Sequence, residues 1–157
     1  MQDPDHVLGA LRRSPDVEAP NLHAVDASDR LILAEAAEST STAASGTVVV
    51  IGDRYGALTL GTAAAHGITG IRVHQDPLTS ELALARNADT LGLGGVYTNH
   101  SLDRELLDGA TVVLLQLPRA LAELTEIAEA VARHADPSVR VISAGRLKHM
   151  SRSMNDV

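Results

Sequence analysis

Two glycines and two carboxylates near the middle of the chain are the residues whose types and spacing could bind a small molecule. Gly52, Asp53 and Gly56 follow the apolar run 48–51, and Asp76 follows a second apolar run at 71–73. A glycine-containing turn between a strand and a helix lets a ligand approach the backbone and the free N–H groups of the helix. A carboxylate after the next strand could accept hydrogen bonds from a ribose hydroxyl group. These residues predict a cleft for a nucleoside-like ligand.

The turn departs from the two fingerprints that bind such ligands. A dinucleotide site has the pattern Gly-x-Gly-x-x-Gly, and Arg54 stands where the second glycine is needed. An S-adenosylmethionine site usually has an acidic residue before Gly-x-Gly-x-Gly, and here the acidic position is Val50. Gly52 and Gly56 could instead serve a tight turn and close helix packing, and Asp76 could begin a turn. Both readings of the cleft, with and without a ligand, stay open.

Patterns typical of catalytic nucleophiles or metal centres are absent from the sequence. There is no cysteine, no Gly-x-Ser-x-Gly elbow, no Walker lysine and no His-Glu-x-x-His pair. His74 and His100 could approach each other across neighbouring strands, but two histidines without a third ligand do not predict a metal site. Gln116 lies inside the fourth apolar run, near its end, and carries an amide where an amine methylase needs a carbonyl or carboxylate oxygen. At the end of a strand, however, glutamine is commonly an ordinary polar residue.

The composition is that of one domain with an aliphatic core. The 157 residues are 45% hydrophobic and 21% charged, which suits a single core. Tyr55 and Tyr97 are the only aromatic residues, so a surface that stacks single-stranded bases is not expected. The net charge of −7 disfavours free binding to nucleic acid, because neutralising phosphates needs clustered cations.

One basic cluster lies near the end of the chain. Arg146, Lys148, His149 and Arg152 could contact phosphate or another domain, or could form a solvated basic terminus. No run of residues approaches the roughly 20 apolar residues that span a bilayer, and the first residues do not resemble a targeting signal. We therefore expect no membrane partner and a cytoplasmic location.

From residue 47 onward, apolar runs alternate with helical patterns. We expect strands at 47–51, 71–73, 96–98, 111–117 and 139–144 and helices at 58–65, 80–91, 103–107 and 119–134. A helix at 27–38, capped by Asp26 or Ser28, and a flexible loop at 39–46 precede them. The alternation predicts an α/β fold, a Rossmann-like doubly wound parallel sheet of order 3-2-1-4-5. Any site would lie at the C-terminal ends of strands one, two and four.

Five segments, taken in order, resemble a known family. They are residues 21–29, 56–58, Asp76 with 80–83, 112–119 and 140–145. Together they are similar to the N-terminal domain of the two-domain ribosomal RNA guanine-N2 methyltransferases, which carry two tandem class I methyltransferase folds. The resemblance implies a methyltransferase-like domain over residues 21–157, preceded by an N-terminal extension at 1–20. Because no strand pattern follows strand five, we expect a truncated sheet and a fragment of a longer protein.

The resemblance also implies a division of labour between the two copies. In the family, the C-terminal copy binds S-adenosylmethionine and carries an Asn-Pro-Pro-Phe/Tyr motif, whereas the N-terminal copy is degenerate and supports RNA recognition. Here the motif position reads Gln116-Leu117-Pro118-Arg119, without the asparagine and the first proline. We therefore expect a non-catalytic domain that binds no cofactor itself. Its expected partners are ribosomal RNA and a catalytic C-terminal domain that uses S-adenosylmethionine.

Two other functions compete with this expectation. Gly52, Asp53, Gly56 and Asp76 could form an active site for binding S-adenosylmethionine or a nucleoside. Alternatively, the domain could serve as an oligomerisation surface, because an unpaired apolar sheet edge favours self-association.

Overall fold

Four consecutive aliphatic residues, β1 (Val48–Ile51), form the central strand of the sheet in the computed structural model, which describes residues 2–145. β1 pairs in parallel with β2 (Ile71–His74) on one side and with β4 (Val112–Gln116) on the other. β3 (Tyr97–Asn99) lies beside β2, and β5 (Arg140–Ala144) lies beside β4. The order β3-β2-β1-β4-β5 confirms the predicted fold class and topology.

Helices cover both faces of the sheet. They are α1 (Pro4–Ala10), α2 (Ala27–Ser41), α3 (Ala57–His66), α4 (Leu78–Leu91), α5 (Arg104–Leu107) and α6 (Leu121–His134). Side chains of β1 alternate between the faces: Val48 and Val50 pack with α1 to α4, and Val49 and Ile51 pack with α5 and α6. None of the helices within residues 2–145 is long and apolar enough to cross a membrane.

The second helix is longer than the sequence pattern predicts. The predicted loop at 39–46 is wrong at its start, because α2 continues to Ser41. Thr40 is buried, and its Oγ1 donates a hydrogen bond to the Ala36 carbonyl oxygen at 2.8 Å. A hydroxyl group that is satisfied by the preceding helical turn can be buried inside a helix. The polar run therefore contains the last turn of α2 as well as the connection to β1.

The segment of residues 4–13 packs against the rest of the chain. Val7, Leu8 and Leu11 are buried in the same cluster as β1 and α3. Asn87 of α4 holds the end of this segment, since its Oδ1 accepts from the Arg12 backbone N at 3.0 Å and its Nδ2 donates to the Arg12 carbonyl oxygen at 2.9 Å. The segment proposed as an extension thus shares the main core, and a domain boundary at residue 20 stays a prediction.

Candidate functional site

A cleft of about 630 Å³ opens at the C-terminal ends of β1, β2 and β4. Gly52 and Arg54 line it from the turn after β1, residues 74–77 from the end of β2, and residues 116–119 from the end of β4. Glu123 and Ile127 of α6 close one wall. The volume falls in the range of roughly 300–1,000 Å³ that is typical of small-molecule pockets. The cleft lies where the topology predicts a site.

The two glycines of the turn both adopt left-handed backbone angles. Gly52 has φ of 77° and Gly56 has φ of 107°, a region that side chains disfavour. A Cβ atom on Gly56 would lie 2.9 Å from Leu84 Cδ1 and 3.1 Å from Leu60 Cδ1. Gly56 therefore has a packing reason to be glycine, between α3 and α4. A ligand-binding role for either glycine stays a prediction.

The Asp53 side chain is directed at its own helix. Asp53 is 1% exposed, and its Oδ1 accepts from Leu58 N at 2.7 Å while Oδ2 accepts from Thr59 N at 2.9 Å. Burial raises the pKa of Asp53, and the hydrogen bonds from Thr59 and Leu58 oppose that shift. The carboxyl group therefore occupies N–H groups at the start of α3 that a bound anion would otherwise use. Sequence reasoning places Asp53 at the right turn but cannot tell which way its side chain points.

Arg54 stands where related turns have glycine. Its φ is 63°, which is uncommon for a residue with a side chain. Its backbone N–H donates to Gln75 Oε1 at 2.8 Å, and its Nη2 pairs with Asp26 Oδ2 at 2.9 Å. Asp26 is the N-cap of α2. The ion pair therefore ties the turn after β1 to the start of α2, and these contacts hold Arg54 in a strained conformation.

Replacing Arg54 with glycine and with alanine separates the ion pair from the backbone strain. Both variants lose an ion pair whose side chains are 37% and 18% exposed, a kind of contact that contributes up to about 1 kcal/mol. Only the alanine variant keeps the cost of a left-handed conformation, about 1 kcal/mol. We expect Arg54→Gly to be more stable than Arg54→Ala by about 1 kcal/mol in urea unfolding. Equal stabilities would show that the turn is not strained.

A polar network joins the end of β4 to the start of α2. Gln116 Nε2 donates to Asp29 Oδ1, and Ser28 Oγ lies 3.1 Å from Gln116 Oε1 and 2.6 Å from Asp26 Oδ1. Asp26 and Asp29 form a capping box, in which Asp26 N donates to Asp29 Oδ2 at 2.9 Å and Asp29 N donates to Asp26 Oδ1 at 3.0 Å. Both polar atoms of the Gln116 amide thus face partners inside the protein.

The pKa values of the two carboxyl groups in the capping box are shifted in opposite directions. Burial raises the pKa of Asp29 to about 7, and the charges of Asp26 and Asp53 contribute to this shift. Burial also acts to raise the pKa of Asp26, but hydrogen bonds from Ser28 and from the Asp29 amide, together with the Arg54 charge, outweigh it. These contacts hold the pKa of Asp26 well below its usual range. Asp26 is therefore charged at neutral pH, whereas Asp29 titrates near neutrality.

Asp76 lies at the mouth of the cleft. Its side chain is 72% exposed, and its Oδ1 lies 3.3 Å from His74 Nε2. His74 Nδ1 lies 2.8 Å from the His100 carbonyl oxygen, which can only accept, so Nδ1 carries a proton. In residues 2–145, no group of three or more His, Asp or Glu side chains is arranged to hold a metal ion. Asp76 presents a carboxylate to the cleft, but its contact with a ligand stays a prediction.

Some of the polar residues around the cleft escape sequence reasoning. The pattern Asp26-x-x-Asp29 is a readable capping signal, and Asp26 is confirmed as the N-cap. No local pattern links Ser28 to Gln116, which is 88 positions away. The predicted basic cluster of Arg146, Lys148, His149 and Arg152 lies outside the described residues and stays a prediction.

Comparison with known proteins gives matches along most of the chain. A family model described as the RLMG N-terminal domain matches residues 3–157. Ribosomal RNA large subunit methyltransferase G of Streptomyces avermitilis is 34% identical over 153 aligned positions, covering 92% of this chain and 37% of that protein. The chain therefore spans less than two-fifths of the length of that relative.

Solved structures share the fold at low sequence identity. Precorrin 8w decarboxylase from Methanobacterium thermoautotrophicum superposes with a TM-score of 0.61 at 19% identity, covering 89% of this chain and 72% of that chain. Geranyl diphosphate C-methyltransferase from Streptomyces coelicolor superposes with a TM-score of 0.57 at 16% identity, covering 74% of this chain and 46% of that chain. Likeness at this identity shows a shared Rossmann-like fold and no more.

Proposed function

Because the chain belongs to the RLMG N-terminal domain family, we propose that it is the non-catalytic N-terminal domain of a ribosomal RNA methyltransferase. In this proposal the domain positions RNA and packs against a catalytic C-terminal domain. The longer protein uses S-adenosylmethionine and transfers the methyl group to guanine N2, as the family resemblance implies. The protein then works in the cytoplasm, where its ribosomal RNA is.

The observation that carries the non-catalytic role is that three polar residues at the ends of β1 and β4 bond within the protein. Arg54 pairs with Asp26, and Asp53 accepts hydrogen bonds from the start of α3. The amide of Gln116 faces Asp29 and Ser28, although a target amine would need a free carbonyl oxygen at this position. These contacts occupy the side chains of Asp53 and Gln116, which supports a scaffold role.

Exposure of β5 supports a partner domain. Within residues 2–145, β5 is the edge strand of the sheet beside β4, and Val141 on it is 46% exposed. An unpaired strand edge offers backbone N–H and C=O groups to another chain segment. We propose that the catalytic domain covers this region, and self-association through the same edge is the competing arrangement.

A second candidate function is binding of S-adenosylmethionine or a nucleoside without catalysis. It is favoured by the volume of the cleft and by the exposed Asp76, which could accept from ribose hydroxyl groups. Gly52 at the cleft lining would allow close approach of a ligand. Arg54 weighs against it, because a long cation stands where the ligand would meet bare backbone.

Titration calorimetry of the 157-residue chain with S-adenosylmethionine distinguishes the two candidates. We expect no binding heat up to millimolar ligand, because Asp53, Arg54 and Gln116 bond within the protein. The intact Streptomyces avermitilis relative, titrated in the same buffer, is the positive control.

Micromolar binding, about −8 kcal/mol, would contradict the scaffold role. In that case Asp76→Ala is the decisive variant, because loss of binding would locate the ligand in the cleft. Glu105→Ala, which removes an exposed carboxylate outside the cleft, is its matched control.

A further inference from the structure

A second groove, of about 540 Å³, lies apart from the cleft. It is formed by the end of α1, the segment 18–25 and the first turn of α2, and none of its lining residues lines the cleft. Its charged and titratable lining residues are three arginines, one histidine and one glutamate: Arg12, Arg13, His23, Arg30 and Glu18. We call this feature the basic groove. Such a concentration of cations is notable in a chain of net charge −7.

Arg13 shapes the wall of the basic groove. Its Nε donates to the Val17 carbonyl oxygen at 2.6 Å, and its Nη1 donates to the His23 carbonyl oxygen at 3.5 Å. The same guanidinium pairs with Asp16 at 3.5 Å and lies 4.9 Å from the centre of the Tyr55 ring. Arg13 is thus committed to contacts within the protein and holds segment 18–25 in place.

The acidic residue of the groove is also engaged. Glu18 Oε1 accepts a hydrogen bond from the Arg13 backbone N at 3.0 Å. The Glu18 carboxylate therefore stabilises the wall of the groove, as the Arg13 guanidinium does. This leaves Arg12 and Arg30 as the arginines that face outward.

Arg12 and Arg30 are exposed cations on fixed backbone. Two hydrogen bonds to Asn87 hold the Arg12 backbone, and Arg30 lies in the first turns of α2. The Arg12 guanidinium contacts only the Leu11 carbonyl oxygen, at 3.3 Å, within the described part of the chain. Neither arginine forms an ion pair with an acidic side chain in residues 2–145. Their guanidinium donors are therefore available to an external anion.

We propose that the basic groove binds the phosphodiester backbone of ribosomal RNA through Arg12 and Arg30. The inference rests on the proposed function, which requires a surface that positions RNA. Guanidinium groups match phosphate oxygens in charge and geometry. Tyr55 is buried and, within residues 2–145, no Phe, Tyr or Trp lines the groove, so contact with the RNA backbone is the mode that fits. Contacts to phosphate orient an RNA without reading its sequence.

The test compares two charge-reversed double variants of the full 157-residue chain. The groove variant is Arg12→Glu with Arg30→Glu, and the matched control is Arg104→Glu with Arg133→Glu, two exposed arginines on α5 and α6 that line no groove described here. Circular dichroism melts check that both variants fold. Binding to protein-free large-subunit ribosomal RNA is measured at several KCl concentrations.

We expect the groove variant to bind this RNA at least about tenfold more weakly than the unaltered chain, and the control to bind within about twofold. The slope of log K against log salt should fall by about 1.5 in the groove variant, because two phosphate contacts are lost. Inorganic phosphate at millimolar concentration and constant ionic strength should not displace the RNA.

Each contrary result has a distinct meaning. If the unaltered chain binds RNA and the groove variant binds equally well, or if both variants weaken alike, the basic groove is not the contact surface, while the proposed function stands. Displacement by inorganic phosphate would identify a pocket for a single anion and overturn the inference. If the unaltered chain does not bind RNA even at low salt, the proposed RNA-positioning role fails, and the inference fails with it.

Discussion

Replacing Asp53 with alanine is expected to lower the free energy of unfolding by about 3 kcal/mol. The side chain accepts from Leu58 N at 2.7 Å and from Thr59 N at 2.9 Å, and both of those residues are fully buried. Alanine leaves two backbone N–H groups without an acceptor in a site closed to water, and each such group costs about 1–3 kcal/mol. Urea unfolding followed by circular dichroism at pH 7 measures the loss.

Two further variants show whether burial is the cause. Asp53→Asn keeps the shape of the side chain and one acceptor oxygen, so it should lose less than alanine, about 1–2 kcal/mol. Asp103 also accepts from a backbone N–H at the start of a helix, Glu105 N at 3.0 Å, but it is exposed. Asp103→Ala should therefore cost only about 0.5–1 kcal/mol. A loss for Asp53→Ala no larger than that of Asp103→Ala would contradict the assignment.

The free energy of unfolding is expected to fall between pH 5 and pH 8, largely because of Asp29. Its pKa is about 7 in the folded protein, mainly through burial, against about 3.9 in an unfolded chain. Between these values the folded state holds a proton that the unfolded state has released, so stability declines as pH rises. The contribution is fully present below pH ~4 and is lost as pH passes ~7. It amounts to about 4 kcal/mol in all, at 1.36 kcal/mol for each of about 3 pKa units, and about 3 kcal/mol of it is lost between pH 5 and pH 8.

Asp26 and Asp53 also contribute to the pH dependence of stability, but with different signs. The pKa of Asp26 is lowered, so its contribution is lost only when pH falls below ~4, outside this range. The raised pKa of Asp53 acts in the same direction as that of Asp29. Comparison with a variant at position 29 is therefore needed, because the other contributions cancel in the difference.

Asp29→Asn is the variant that isolates this group. An asparagine oxygen can accept from Asp26 N, and its NH₂ group can donate to Gln116 Oε1 if the Gln116 amide rotates by half a turn. Gln116 Nε2 then faces Ser28 Oγ, so the network stays satisfied. We expect the stability of the variant relative to the unaltered chain to increase by about 3 kcal/mol between pH 5 and pH 8. Parallel pH profiles for the two proteins would contradict the shifted pKa.

The architecture was predictable because its signals are local. Aliphatic runs identify β1 and β4, and the alternation of strands with helices leaves a right-handed parallel sheet as the consistent topology. The ends of the predicted strands lie within one or two residues of the observed ones. The same rules place a cleft at the C-terminal ends of β1, β2 and β4, where it is found. Local pattern and chain topology were therefore sufficient to predict the strands, the sheet order and the position of the cleft.

Only the tertiary structure decided what the polar side chains do. The sequence places Asp53 beside a possible ligand, but the path of the turn directs it at the start of α3. Gln116 meets Asp29 across 87 positions of the chain. Arg12 and Arg30 face one groove because α1 and α2 both pack against α3. A buried or clustered polar group takes the partners that distant segments bring to it, and no spacing along the chain encodes that encounter.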